Sequence, residues 1–204
     1  MKNQFWHSQL EDLSFRTLQN LKREFDFVLV GGWAIYFYTK SLKSRDIDII
    51  VRPEVLSKLK QKFEVVKNEQ LRKYEIKTAE FDIDIYLPYY SSLGIPAEDI
   101  LKKTIILEGF RVPEREILLI LKIFVFSKRK DSLKGQKDKI DIISLLYNDS
   151  INKEKFLNTL KKYNLLYLKK ELRNIFKETV EVEEINLNQK KFADLKKKYL
   201  NLTE

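Results

Sequence analysis

Three short stretches of this 204-residue chain carry side chains whose types and spacing could do chemistry. Gly31-Gly32 ends the apolar run Val28-Leu-Val30 and is followed at once by Trp33-Ala-Ile-Tyr36. Asp46-Ile-Asp48 and Asp82-Ile-Asp84 each sit in alternating, β-branched sequence. A strand that stops on two glycines and turns straight into a helix lets backbone N–H groups approach an anion, with no side chain in the way. Two aspartates at i and i+2 of a strand point to one face. Carboxylates held that close repel each other unless a cation lies between them. Beside a phosphate-binding turn, Asp46 and Asp48 therefore read as oxygen ligands for Mg²⁺ or Mn²⁺, completed by water and substrate phosphates. Asp82 or Asp84 supplies a third carboxylate, as base or as ligand to a second ion about 3.5–4 Å from the first. Asp84 is favoured because it is nearer the strand's exit into Leu87-Pro88-Tyr89, where ligands of open sheets collect.

The surrounding pattern predicts the elements that position these residues. Apolar spacing from Phe5 and Trp6 to Phe25 marks a helix over 5–24, with Phe5 and Trp6 on its core side. Phe27–Val30 is a short buried strand, and a helix runs from Trp33 to Tyr38. Lys40–Arg45 is a basic loop, and Asp46–Val51 alternates as a strand. Pro53 opens a helix over Glu54–Lys62. Strands follow at Leu71–Lys77 and Phe81–Leu87, then a loop and a short helix from Pro96 to Lys103. Thr104–Leu107 and Phe110–Val112 pair across Glu108-Gly109 as a hairpin. From Pro113 helical periodicity takes over, at 114–127, 136–147, 152–163, 165–177 and 189–200. The expected architecture is α+β: a mixed sheet flanked by helices over 1–112, then a helical bundle over 113–204.

Composition narrows the chemistry. With 44% apolar residues the chain can bury a core, and no apolar run approaches the ~18 residues of a membrane span, so no membrane partner is expected. Met1-Lys2-Asn3-Gln4 lacks the apolar heart of a signal peptide, which points to the cytoplasm. The absence of cysteine excludes disulfides, thiolate catalysis and cysteine-held zinc. With His7 as the lone histidine, a serine–histidine triad or histidine-rich metal site is hard to build. Carboxylates, lysines, arginines and hydroxyls remain. The net charge of +9 is uneven: 21 Lys and Arg oppose 14 Asp and Glu from residue 113 onward. Such an excess fits an anionic partner, RNA or nucleotide, or simply a solvated lysine face.

The joint pattern of glycine pair, helix, Asp-x-Asp strand and later Asp-bearing strand resembles the polymerase-beta-like nucleotidyltransferase superfamily. Gly31-Gly32, Asp46-Ile-Asp48 and Asp84 match its parts in order. Gly-Gly-Trp-Ala, with basic residues just before Asp-Ile-Asp, looks most like the minimal prokaryotic members. Those include antibiotic adenylyltransferases and abortive-infection toxins of type IV toxin–antitoxin systems. Trp33 departs from the pattern, standing where many members place a phosphate-touching serine. The toxin-like members also carry a helical lysine, an arginine and Lys-Asp-x-x-Asp, matched here by Lys122, Arg129 and Lys137-Asp138-Lys-Ile-Asp141. A lysine inside an apolar helix must bring its ammonium to an anion, to water, or to Asp138 or Asp141.

The resemblance implies transfer of a nucleoside monophosphate from an NTP such as ATP to an acceptor hydroxyl, with release of pyrophosphate. Asp46, Asp48 and Asp84 would hold the metals. Gly31, Gly32, Ser44, Arg45, Lys122 and Lys137 would meet the nucleotide or acceptor. The basic helical half makes RNA, such as a tRNA end, the first expectation for that acceptor. The alternative is a toxin–antitoxin or nucleotide-sensing module that keeps the fold, binds a cognate partner and catalyses little or nothing.

Overall fold

A computed structural model describes residues 2–199 and Leu202, with side chains from Gln9 onward. The expected packing of Phe5 and Trp6, and His7, lie outside the described side chains. The chain forms two compact units, Met1–Glu114 and Arg115–Glu204. Among the described residues no helix is long and apolar enough to cross a membrane.

The first unit is mixed α+β. After α1 (Lys2–Glu24) come β1 (Val28–Val30), α2 (Gly31–Thr39), β2 (Ile47–Ile50) and α3 (Pro53–Lys62). Then follow β3 (Val66–Asn68), β4 (Lys73–Lys77), β5 (Asp82–Tyr86) and the short α4 (Ala97–Ile100). The hairpin β6 (Thr104–Leu107) and β7 (Phe110–Pro113) closes the unit. Strands one to five form a sheet in the order β1-β2-β5-β4-β3. Only β2 and β5 are parallel; each of the other neighbours runs antiparallel.

Side-chain alternation splits this sheet into two unlike faces. Leu29, Ile47, Ile49, Ile76, Ile83 and Ile85 are buried on one of them. The other carries Asp48 of β2, Asp82 and Asp84 of β5, and Lys73, Glu75 and Lys77 of β4. Burial of the isoleucine face fixes the register, because a slip by one residue would turn every aspartate into the core.

The structure departs from the sequence reading in definite places. Helix α2 starts on Gly31 itself rather than at Trp33, since Gly31 takes a φ of 68° at no steric cost. The expected strand at Leu71 begins two residues later, because Arg72 adopts a left-handed φ of 50° in a turn. That turn returns the chain to an unforeseen partner, β3, whose exposed Val66 and Lys67 hid the strand. The hairpin forms as expected, with Glu108 and Gly109 both at positive φ.

The second unit is helical: α5 (Arg115–Arg129), α6 (Leu133–Asn148), α7 (Lys153–Lys162), α8 (Leu168–Glu178) and α9 (Gln189–Tyr199). A 3-10 turn, Glu183–Ile185, precedes α9. α6 begins three residues before its apolar pattern because Ser132 caps it, accepting from the Gly135 N–H. Asn152 caps α7 in the same way, accepting from Lys155 N–H. Ile117 through Leu121 are buried in α5.

Trp33 is structural. It is 1% exposed, and its indole donates to the buried Ser14 hydroxyl of α1 at 2.9 Å. Trp33→Phe leaves Ser14 without that partner and should cost about 1–3 kcal/mol. A lower urea midpoint at unchanged slope would show it; an unchanged midpoint would contradict it.

Candidate active site

Asp46 lies in the bend just before β2, and Asp48 is the second residue of that strand. Ser44 shapes the bend: its hydroxyl donates to the Asp46 carbonyl at 3.1 Å. Arg45 is exposed, with Nε 3.8 Å from Asp46 Oδ1.

Asp48 has the glycine turn on one side and Asp84 on the other. Antiparallel pairing sets Val30, the residue before Gly31, opposite Asp48. Gly31 then comes so close that a Cβ there would stand 2.0 Å from Asp48 Oδ2. Positive φ and this contact together demand glycine. Val30 offers α2 no side-chain cap, and Gly31 and Gly32 open its first turn. Backbone N–H groups at such a start lack intrahelical partners and favour negative charge. The Tyr86 hydroxyl donates a long hydrogen bond, 3.4 Å, to Asp48 Oδ1.

Parallel pairing sets Asp48 level with Asp84, and antiparallel pairing sets Asp84 level with Glu75. Directly opposed residues share a face, so three carboxylates form one row across β2, β5 and β4. Asp84 thus stands beside Asp48 because of strand register, a stronger reason than its nearness to the strand's exit. Asp82, two residues earlier, is more exposed and accepts from Lys77 at 2.9 Å.

Lys73, which sequence reasoning missed together with Glu75, joins this row. Its ammonium lies 2.5 Å from Asp84 Oδ2 and 2.9 Å from Glu75 Oε1, with the side chain only 11% exposed. Glu75 also accepts from Asn68 Nδ2 at 3.0 Å and pairs with Lys77 at 3.1 Å. A signal was available: Lys73-Tyr-Glu75-Ile-Lys77 alternates charged with apolar residues, which puts all three charges on one strand face.

The row's proton affinities follow from burial and charge. Burial pushes the Asp84 carboxyl up; Lys73 opposes it, Glu75 and Asp82 reinforce it, and the net direction is upward. Burial also acts to raise Glu75, but Lys73, Lys77 and Asn68 outweigh it and hold the carboxyl down to about 2. For Lys73, burial would lower the ammonium, yet its two carboxylate partners keep it above the ordinary lysine value.

The donor set suits a hard divalent cation, being all oxygen. Among the described residues the buried Asp84 Oδ1 finds no hydrogen-bond partner, which is uncommon for a buried polar atom unless something fills the place. Among the described residues, however, no three acidic side chains converge closely enough as they stand to hold an ion. Asp84 Oδ2 is engaged by Lys73 instead. A cavity of about 360 Å³ in the same unit, lined by residues such as Lys22, Phe27, Phe110 and Arg111, shares no residue with the carboxylate row.

The second unit holds the other predicted residues. Lys122 of α5 is buried, its ammonium 2.9 Å from Asp138 Oδ1 and 2.8 Å from Asp141 Oδ2. Arg129 adds two bonds to Asp138, from Nε at 2.7 Å and Nη2 at 3.0 Å. Burial acts to lower the Lys122 ammonium, but the two carboxylates hold it well above the ordinary lysine value. Burial likewise acts to raise Asp138, and Lys122 and Arg129 hold it down. Lys122, Arg129, Asp138 and Asp141 thus build an ion cluster within their own unit. Lys137 is half-buried on α6.

No protein-family model matches the chain, and no curated protein sequence matches it. Among solved structures it is similar to JHP933 from Helicobacter pylori, at 14% identity and a TM-score of 0.50, over 95% of this chain and 91% of that one. That likeness is one of fold. An antigenic nucleotidyltransferase-like protein from Paracoccidioides brasiliensis also aligns, at 18% identity over 79% of this chain and 93% of that chain. Its TM-score is 0.38.

The depressed Glu75 value gives the site a pH signature. Its charged form contributes stability that is present above its ordinary value of 4.5 and is lost as pH falls toward about 2. Glu75→Gln should therefore be less stable than wild type at pH 7 and lose less between pH 4.5 and 2. Asp84, raised in the fold, acts in the opposite sense in both proteins. Urea midpoints across that window check this; parallel losses in the two proteins would contradict it.

Proposed function

We propose that this chain is a metal-dependent nucleotidyltransferase, moving a nucleoside monophosphate from an NTP to an acceptor hydroxyl. One observation carries the reading: Asp48 and Asp84 stand level on adjoining parallel strands, with Gly31 against Asp48 at the start of α2. In this reading Asp46, Asp48 and Asp84 hold Mg²⁺ or Mn²⁺, and the backbone of Gly31 and Gly32 receives the triphosphate. Arg45, exposed beside Asp46, is placed to meet a phosphate; Ser44 acts by shaping the bend.

The acceptor oxygen bonds to the α-phosphorus as the bond to the bridging oxygen breaks, and pyrophosphate leaves. When bound, the metal ions neutralise phosphate charge and make the acceptor hydroxyl easier to deprotonate. Asp84, level with Asp48 on the adjoining strand, is the carboxylate offered to receive that proton. RNA is the acceptor class that fits the basic second half, where Lys and Arg exceed Asp and Glu by seven (21 against 14). Lys122 enters as the organiser of its ion cluster, and Lys137 as the half-buried cation of α6.

A second reading has its own support. The Lys73 ammonium already satisfies Asp84 Oδ2, as suits a toxin–antitoxin or nucleotide-sensing module that binds without transferring. Incubating the protein with each α-labelled NTP, Mg²⁺ or Mn²⁺, and total RNA separates the two. Wild type should transfer label, and Asp48→Asn should lose at least about 100-fold, the order seen when one preorganised electrostatic group is removed. Bound but untransferred label would favour the binding module, and near-wild-type turnover by Asp48→Asn would overturn the metal assignment.

A further inference from the structure

Lys73 is a desolvated cation in the middle of a carboxylate row, and the proposed chemistry leaves it unused. Its ammonium bridges Asp84 and Glu75 with the side chain nearly closed off from water. Its two partners are not equivalent. Glu75 has Lys77 and Asn68 besides Lys73, so it remains paired whatever Lys73 does. Asp84 has Lys73 on Oδ2 and, among the described residues, no hydrogen-bond partner on the buried Oδ1. Asp84 and Glu75 stand level on adjoining strands in a half-buried setting, where like charges repel, and the single ammonium between them offsets part of that repulsion. A divalent ion reaching Asp84 would meet a positive charge a few ångströms away, and the flexible four-carbon lysine stem lets that charge retreat toward Glu75.

We propose that Lys73 is a tethered counter-cation that holds Asp84 in place of a metal ion, and that a divalent ion must displace it to bind. This rests on the metal-site reading of Asp48 and Asp84 and adds a regulation to it. Free protein then has weak affinity for metal alone. Triphosphate arriving at the glycine turn adds the negative charge that offsets repulsion between the ion and the displaced ammonium, so metal and nucleotide enter together and the ion is not bound beforehand. Lys73 is accordingly a positioning residue, acting on Asp84 and not on substrate.

The test is Mn²⁺ binding in the absence of nucleotide, followed by the free-ion paramagnetic resonance signal and by calorimetry. The proteins are wild type, Lys73→Met and Lys73→Gln. Glutamine replaces the ammonium with an uncharged amide N–H donor, so it guards against a methionine variant that fails to fold; circular dichroism checks both. Removing the tethered charge should tighten Mn²⁺ binding about tenfold or more, as expected for lost repulsion at a few ångströms in a partly buried site. It should also shrink the gain in Mn²⁺ affinity that a non-hydrolysable NTP produces. Binding by Lys73→Gln within about twofold of wild type, or weaker, overturns the role of Lys73 and leaves the metal site standing. Failure of all three proteins to bind Mn²⁺, with or without nucleotide, overturns the metal site and this inference with it. On wild type alone, the ¹⁵N resonance of the Lys73 ammonium should shift on saturation with Mg²⁺ and nucleotide. A resonance that stays put contradicts displacement.

Discussion

The pairing of β2 with β5 is the constraint on which the first unit turns. It is the parallel pair in an otherwise antiparallel sheet, and it sets Asp48 level with Asp84. Side-by-side carboxylates on a half-buried face are unfavourable by themselves. The fold accepts them because the opposite faces of the same strands bury Ile47, Ile49, Ile83 and Ile85, and that burial leaves the register no freedom. Electrostatic cost on one face is thus offset by the hydrophobic effect on the other. Lys73 and the start of α2 supply the positive potential that keeps the row tolerable.

The two units handle buried charge in the same way. In the sheet, Lys73 answers Asp84 and Glu75; in the helices, Lys122 and Arg129 answer Asp138 and Asp141. Each cluster places one nearly closed-off ammonium between two carboxylates. Asp138 is satisfied on both oxygens by Lys122 and Arg129. Among the described residues, each cluster keeps a buried carboxylate oxygen without a hydrogen-bond partner, Asp84 Oδ1 in the sheet and Asp141 Oδ1 in the helices.

Much of this was legible in the residues themselves. The period-two spacing of Asp46-Ile-Asp48 and Asp82-Ile-Asp84 gives shared faces without further information, and glycine after a buried strand gives the turn. Register between distant strands is not written locally, so the Asp48–Asp84–Glu75 row emerges only when β4 and β5 pair. β3 escaped because Val66 and Lys67 are exposed and carry no alternation. The early start of α2 escaped because helical propensity counts glycine as a breaker, while the φ required at Gly31 counts it as the one residue that fits. Lys122 was visible as a lysine in an apolar helix in need of an anion. The i, i+3 spacing of Asp138 and Asp141 showed where that anion lies.

The central claim is that the Asp48–Asp84 pair is the place where a metal-bound triphosphate sits. Anomalous diffraction from crystals grown with Mn²⁺ and a non-hydrolysable NTP tests it most directly. The account predicts a manganese peak within about 2–2.5 Å of carboxylate oxygens of both Asp48 and Asp84, with phosphate oxygens on the N–H groups of Gly31 and Gly32. A nucleotide bound elsewhere, or a peak that leaves Asp84 with Lys73 and touches neither aspartate, would contradict it.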